Sequence, residues 1–407
     1  MTLRSPHVRL LSASASLTVA LLASSSFAAT LRVGPTRTYT TISAAAAAAQ
    51  NGDSVLIDAG TYTGDVCSWN ASNLVVRAVG GRAILNANGL NAAGKGTWVV
   101  VGGNFVAENI EFYGATCVDL NGAGIRSDAP GYLVIRNCYF HDNQDGVLAG
   151  ADSMLIESCI FDHNGAGDGR SHNMYIWGRS VTVRYTYTHR AVIGHNLKTR
   201  GQNNYILYNR IMDESDGTAS YSIDVPDCGR TYIVGNVIEQ GPNTDNSTVI
   251  SYGAESSLNT QDLYVVNNTI VNDRTAGGNF LSIGGSTPTQ VRNNIFYGTG
   301  TPWSGGSVTS SNNYVHTAYD NAPGFASPTT YDFHLTSASP AAIVDAGASP
   351  GSSSTGYPLT PTGEYVYDAQ GKARAVSGAL DIGSFEYVSG SMADATPPSP
   401  IFDLTPR

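Results

Sequence analysis

Four short words in the middle of this 407-residue chain align without gaps: QDGVLAG (144–150), SHNMYIWG (171–178), GHNLKTRG (194–201) and SYSIDVPDCG (220–229). Alternate residues of a strand share a face. If Val147, Met174, Leu197 and Ile223 point inward, then Leu148, Tyr175, Lys198 and Asp224 form one outward column. Trp177, Arg200 and Pro226 form a second column, and Asn173, Asn196 and Ser222 a third. The turns before the words add Asp145, His172, His195 and Tyr221. Neighbouring strands lie about 4.8 Å apart, so this register gathers an ammonium, a guanidinium, a phenol, imidazoles and a carboxylate on one patch. Such a set suits removal of a proton beside a carboxylate, as at C5 of a uronic acid. A cation neutralises the carboxylate, a base takes the proton, and an acid serves the leaving O4. Lys198 is the candidate base, Arg200 the bidentate carboxylate partner, Tyr221 or His195 the acid, and Asp224 the carboxylate beside the lysine. Tyr175 and Trp177 offer faces for a sugar ring, with His172, Asn173 and Asn196 beside them as substrate-binding candidates.

Each of these residues also has a plainer use. An outward lysine is normally solvated, a histidine before an asparagine at a turn can bond backbone groups, and tyrosine and tryptophan often simply pack. Asp142, Asp145, Asp162 and Asp168 sit in turn contexts. They leave Ca²⁺ as the one metal the sequence would admit, without an EF-hand spacing to support it, so no cofactor is assigned.

The elements that hold this patch show in a second repeat. A polar or thiol slot followed two residues later by an apolar or aromatic residue recurs at Cys138, Cys159, Asn209, Asn236, Asn268, Asn294 and Asn312, with Thr186 filling the gap. The spacings of 21, 27, 23, 27, 32, 26 and 18 residues fall around the roughly 20–50-residue period of solenoids. Stacked buried asparagines satisfy one another and nearby carbonyls, which explains Asn inside an apolar repeat. The Ala run in TISAAAAAAQNGD, ended by Asn51-Gly52, reads as a short helix capping the first coil. Residues 340–365 read as irregular wrapping, ALDIGSFEYV as a final strand packed back on the coil, and 241–262 as a long insertion after the fifth ladder coil.

Composition bounds the rest. With 42% hydrophobic residues, 13% charged and 45 glycines, the chain suits a turn-rich β protein with a long core. A net charge of −10 argues against nucleic acid and anionic membrane as partners. It leaves open an acidic polysaccharide bound in a local cationic groove, because screening acts over roughly 8–10 Å. Arg4 and Arg9, the apolar run Leu10–Ala23 and the Ser26-Phe27-Ala28 site read as a signal peptide over 1–28. The expectation is a secreted or periplasmic monomer with one domain over 29–388 and a disordered Pro-rich tail over 389–407. Five cysteines leave at least one thiol unpaired; Cys138 and Cys159, on adjacent coils, are either bonded or stacked as free core thiols.

The order TI-x-A, NGDSVLIDAGTY, the Asn-ladder coils and the closing DIGSFEY at 381–387 resembles the secreted right-handed parallel β-helix proteins of the pectate-lyase-like superfamily over roughly residues 31–387. The resemblance implies an all-β chain: a single right-handed parallel β-helix with an N-terminal cap helix. It does not fix the activity, since the fold hosts lyases, hydrolases, epimerases, esterases and adhesins. HNLKTRGQNNYILYNRI resembles the lysine-bearing strand of the alginate lyase and chondroitinase B family, which implies Lys198 as the base; the arginine expected on the next coil is replaced by Asp224. Tyr221-Ser-Ile-Asp224 is similar to the Tyr-x-x-Asp of alginate C5-epimerases, with Val225-Pro226-Asp227 in place of their Pro-His. Asn143-Gln-Asp145-Gly and Lys198-Thr faintly echo polygalacturonases, whose adjacent Asp pair the chain lacks. The expected function is a polysaccharide lyase acting on a uronate polymer by β-elimination. Its rivals are a C5-epimerase or glycoside hydrolase on the same scaffold, and a non-catalytic carbohydrate-binding or adhesive solenoid.

Overall fold

A single backbone conformation sets the coil. Asn137, Ser158, Tyr185, Tyr208, Gly235, Asn267, Asn293 and Asn312 all have φ between 48° and 69°, a left-handed turn that asparagine and glycine tolerate best. The next residue drops its side chain into the coil and starts a new strand. The computed structural model describes residues 1–2, 28–255 and 260–389. The proposed signal peptide and tail fall almost entirely outside those residues. Among them, no helix is long and apolar enough to cross a membrane.

The ladder runs as expected through Asn209, Asn236, Asn268 and Asn294. Asn209 N donates to Asn236 Oδ1 at 2.8 Å, Asn236 N to Asn268 Oδ1 at 2.9 Å, and Asn268 N to Asn294 Oδ1 at 2.9 Å. Each Nδ2 also caps a carbonyl, as Asn236 does at Ile206 O, 2.8 Å. The last rung is Asn313, which accepts from Asn294 N at 2.9 Å. Asn312, assigned to the ladder from sequence, is instead the left-handed residue before it; in an Asn-Asn pair the inward member is the one after the turn. Cys138 and Cys159 are free buried thiols, as are Cys67 and Cys228. Cys159 Sγ donates to Glu157 O at 3.3 Å.

Between turns the chain forms three parallel sheets, joined in one 27-stranded network. One sheet, which carries the site, stacks Gly96–Val100, Ala123–Ser127, the start of Asp145–Glu157 and of Met174–Arg184, His195–Thr199, Tyr221–Val225 and Thr248–Tyr252. The second holds strands such as Asn203–Leu207, Arg230–Val234 and Leu263–Val266, and the third Arg210–Met212, Val237–Gln240 and Thr269–Asn272. Thr248–Tyr252 corrects the reading of 241–262 as an insertion: its middle is a regular rung, paired with both neighbours. The alternating Val249, Ser251 and Ile250, Tyr252 of a fully buried strand give no period to read.

The coil interior is apolar, with Val147, Met174, Leu197 and Ile223 at zero exposure. Phe112, Phe140 and Phe161 stack at 4.9 and 4.8 Å. The helix Ile42–Ala48 plugs the open end; Thr41 Oγ1 accepts from Ala44 N, and Asp65 takes the Ile42 and Ser43 amides, three of the donors a helix start leaves unpaired. ALDIGSFEYV packs back on the coil as expected, though not as a strand. Ile382 and Phe385 pack among Met212, Val237, Val271 and Ile295, and Arg374 is buried against Glu386 at 2.7 Å. Tyr357 leans on the stacked Tyr205 and Tyr232. These coverings lie on the second and third sheets, away from the site sheet.

Candidate functional site

The outward register read from the sequence is the one the chain adopts. Leu148 pairs with Tyr175, Tyr175 with Lys198, Lys198 with Asp224, and Asp224 with Ser251. The column extends the other way to Arg126. Lys198 lies with its Nζ 3.4 Å from Asp224 Oδ2, 3.6 Å from Glu255 Oε1 and 5.3 Å from the Tyr175 ring centre. Arg200 is clamped three ways: Nε donates to Tyr175 Oη at 2.6 Å, Nη1 to Asp227 at 2.5 Å and Nη2 to Glu255 at 2.5 Å. Burial would lower the Arg200 guanidinium's pKa, but these three partners outweigh it and raise it. Burial pushes the Asp224 carboxyl up, against the lowering pull of Lys198 and a hydrogen bond from Ser251. Hydrogen bonding to Arg200 pulls Glu255 down.

His195 Nε2 lies 3.5 Å from Asp224 Oδ2, and its ring is 5.0 Å from that of Tyr221. Burial, with the charge of Lys198 added, lowers His195 to about 3. The imidazole is therefore neutral at neutral pH, and Tyr221 is half-buried at the start of its strand.

Three of the expected substrate contacts are structural. Asn173 and Asn196 have no exposed surface and belong to a second internal ladder. Asn143 Nδ2 donates to Asn164 at 3.0 Å, Asn164 to Asn173 at 2.9 Å, Asn173 to Asn196 at 3.1 Å, and Asn196 to Asp213 at 2.9 Å. Strict alternation stops at the corner between sheets, so these side chains turn inward and cap backbone such as His189 O. Ser222 likewise donates inward to Glu239 O. His172, only 1% exposed, accepts from His195 N at Nδ1, 3.0 Å, and stacks on the His195 ring at 4.5 Å. It ties the strand His195–Thr199 to the preceding rung.

Tyr175 and Trp177 are half-buried and face outward. With Arg200 and Asp227 they line a cleft of about 840 Å³ that extends along the earlier coils. Its other walls are Arg126, whose guanidinium sits 5.7 Å from the Trp177 ring centre, Asp145, Arg170, and the loop residues Val118 to Asn121. Lys198, Asp224, His195 and Tyr221 do not line this cleft; Lys198 and Asp224 are buried, and Lys198 adjoins a lining residue at Tyr175. The sequence reading missed Arg126, Arg170, Asp227 and Glu255. Arg126 sits in the aligned column one rung further and was within reach; Glu255 lies beyond its strand, where no repeat places it.

Among the described residues no three His, Cys, Asp or Glu side chains form a metal-holding group. Asp162 pairs with Arg190 at 2.7 Å, Asp142 with His141 at 2.7 Å, Asp168 accepts from Ser171, and Asp145 takes the His172 amide at 2.7 Å. The four aspartates that suggested Ca²⁺ are committed to separate turns and pairs, and do not fit that ion as a set.

The right-handed beta helix region family matches residues 66–270, the coils that carry every group above. The chain belongs to this family. Among solved structures the β-helix is similar to pectate lyase Pel9A, with a TM-score of 0.57 and 15% identity over 89% of this chain and 97% of that one. Weaker likenesses are to a pectin methylesterase in complex with hexasaccharide VII (TM-score 0.33, 10% identity, 71% of this chain and 90% of that one) and to the Aspergillus niger pectin methylesterase (0.30, 14%, 71% and 90%). The first shows a shared fold; the other two carry no argument. No curated protein matches the sequence.

Proposed function

We propose that this β-helix is a secreted lyase of uronate polysaccharides, acting as a monomer. The observation that carries the reading is the register of Tyr175, Lys198 and Asp224 on successive rungs, with Arg200 hydrogen-bonded to Tyr175 beside them. Arg200 is placed to hold the carboxylate of a uronate and the charge that builds on it. Once the Lys198 ammonium has given up its proton to solvent, the neutral amine takes the C5 proton, the electron pair forms the C4–C5 double bond as the C4–O4 bond breaks, and the Tyr221 phenol protonates O4. Trp177 and Tyr175 carry the sugar chain along the cleft. Asp224 stands where an arginine would complete the related lysine-based sites, and it holds the lysine in place rather than stabilising the anion. Export rests on the sequence of residues 1–28.

Pel9A, a protein named a pectate lyase that shares this fold, makes pectate the first polymer to try, followed by alginate, glucuronan and glycosaminoglycan. Ultraviolet absorbance of a conjugated C4–C5 double bond, arising with the native protein and lost with Lys198→Ala, is the expected result. Depolymerisation without that chromophore would overturn the reading in favour of hydrolysis.

A further inference from the structure

Around the proposed base, two cations face three carboxylates: Lys198 and Arg200 against Asp224, Asp227 and Glu255. As they stand, these groups would repel a further anion. Asp224 and Asp227 are set in the wall, with side chains 4% and 19% exposed, whereas that of Glu255 is 51% exposed. Glu255 also differs in how it binds, since Oε1 lies 3.6 Å from the Lys198 ammonium and Oε2 2.5 Å from Arg200 Nη2. One carboxylate bridging an ammonium and a guanidinium on the outward face is the arrangement a substrate uronate would take on the same fork.

We propose that Glu255 occupies the place of the substrate carboxylate and acts as an internal competitor that a free uronate displaces one for one. The inference rests on the uronan reading above and names the form of polymer it favours, the free acid. When a uronate enters, Glu255 swings into water and the number of ion pairs at the fork is unchanged. A methyl ester or a neutral sugar would expel the same carboxylate and return none, leaving Lys198, only 9% exposed, short of a partner. Glu255 thus sets a cost of entry common to acid and ester, the preference for the acid coming from Lys198 and Arg200 themselves, and the exchange makes or breaks no covalent bond.

The arithmetic of exchange gives a sharp expectation. Removing the competitor's charge should help an acid and its ester by the same factor, because each then enters without evicting an ion pair, while the ratio between them, set by the fork, stays fixed. Titration of glucuronate, galacturonate and mannuronate monomers and their methyl esters into native protein and Glu255→Gln, followed by calorimetry or NMR, reads this without any turnover. The expected result is a Kd lowered about five- to tenfold for acid and ester alike. An unchanged or weaker Kd for the acid in Glu255→Gln would overturn the assignment of Glu255 while leaving the lyase reading intact. If no monomer binds either protein while a uronate oligomer yields unsaturated product, Glu255 is again the part that fails; if neither monomer nor oligomer binds, the uronan reading falls and this inference with it.

Discussion

Replacing Lys198 should damage the fold and the chemistry together, and the geometry says how to separate them. The Asp224 side chain is 4% exposed, and among the described residues Lys198 Nζ at 3.4 Å is its one lysine or arginine partner. Lys198→Ala leaves that carboxylate with a hydrogen bond from Ser251 and a neutral His195 3.5 Å away. Stranding one member of a buried pair costs about 3–5 kcal/mol. Because the Asp224 carboxyl is already raised and can take up a proton, the lower figure, about 3 kcal/mol, is expected. Asp224→Asn costs less, about 1 kcal/mol, since Lys198 keeps the half-exposed Glu255 at 3.6 Å as a partner. In Lys198→Met/Asp224→Asn no charge is stranded, so the double variant should be more stable than the sum of the single losses by about 1–2 kcal/mol. Urea unfolding followed by circular dichroism gives the stabilities, and elimination rate gives the chemistry. The double variant is expected to be folded and inactive. If it retains elimination activity, Lys198 is not the base; if Lys198→Ala unfolds at the native midpoint, the buried pair is not the energetic unit described.

The ladder, the turn acid and the buried carboxyls carry the other predictions. Asn236→Ala removes the acceptor of the Asn209 amide and the donor to Ile206 O, for a loss of about 3 kcal/mol in urea unfolding, whereas Asn236→Thr keeps an acceptor, as Thr186 does for Cys159 N, and should cost about half as much; equal losses would contradict the hydrogen-bond account. Tyr221→Phe should lower the elimination rate about 100-fold with KM nearly unchanged, and an unaltered rate would remove the phenol as the acid. Burial raises Asp213 to about 7 and Asp273 to about 6, and pushes the neighbouring Glu239 well above the usual carboxylate range. These carboxyls hold protons in the folded state that the unfolded chain releases near pH 4, so their own contribution to stability falls as pH rises from about 4 to 7, against the rise contributed by His195 and His172, which burial keeps neutral. The melting temperature of Asp273→Asn should rise relative to the native protein as pH goes from about 4 to 7, and a difference that stays constant across that window would refute the assignment.

Much of this was legible because a solenoid converts sequence spacing directly into position. The words around Val147, Met174, Leu197 and Ile223 gave the register of the site sheet, since each strand is short and its turns are marked by Gly, Asn or His. The same logic failed at corners. Asn173 and Asn196 precede the inward residue by one, and alternation would place them outside, but the chain is still turning there and they drop into the second ladder. Asn312 and Asn313 were indistinguishable by type, and only the backbone turn decides between them. Glu255 and Asp227 are unreadable for another reason. They reach the site from beyond the strand, where loop path and not periodicity sets position, so the charge balance at Arg200 and Lys198 becomes visible only in three dimensions.

Incubation of the native protein with a uronate polymer in D₂O, followed by proton NMR of the products, addresses the claim that this site removes the C5 proton and expels O4. The account predicts vinylic signals of a C4–C5 unsaturated end, growing with native protein and absent with the folded Lys198→Met/Asp224→Asn variant. Saturated reducing ends without vinylic signal, or intact polymer carrying deuterium at C5, would contradict it, the first indicating hydrolysis and the second epimerisation.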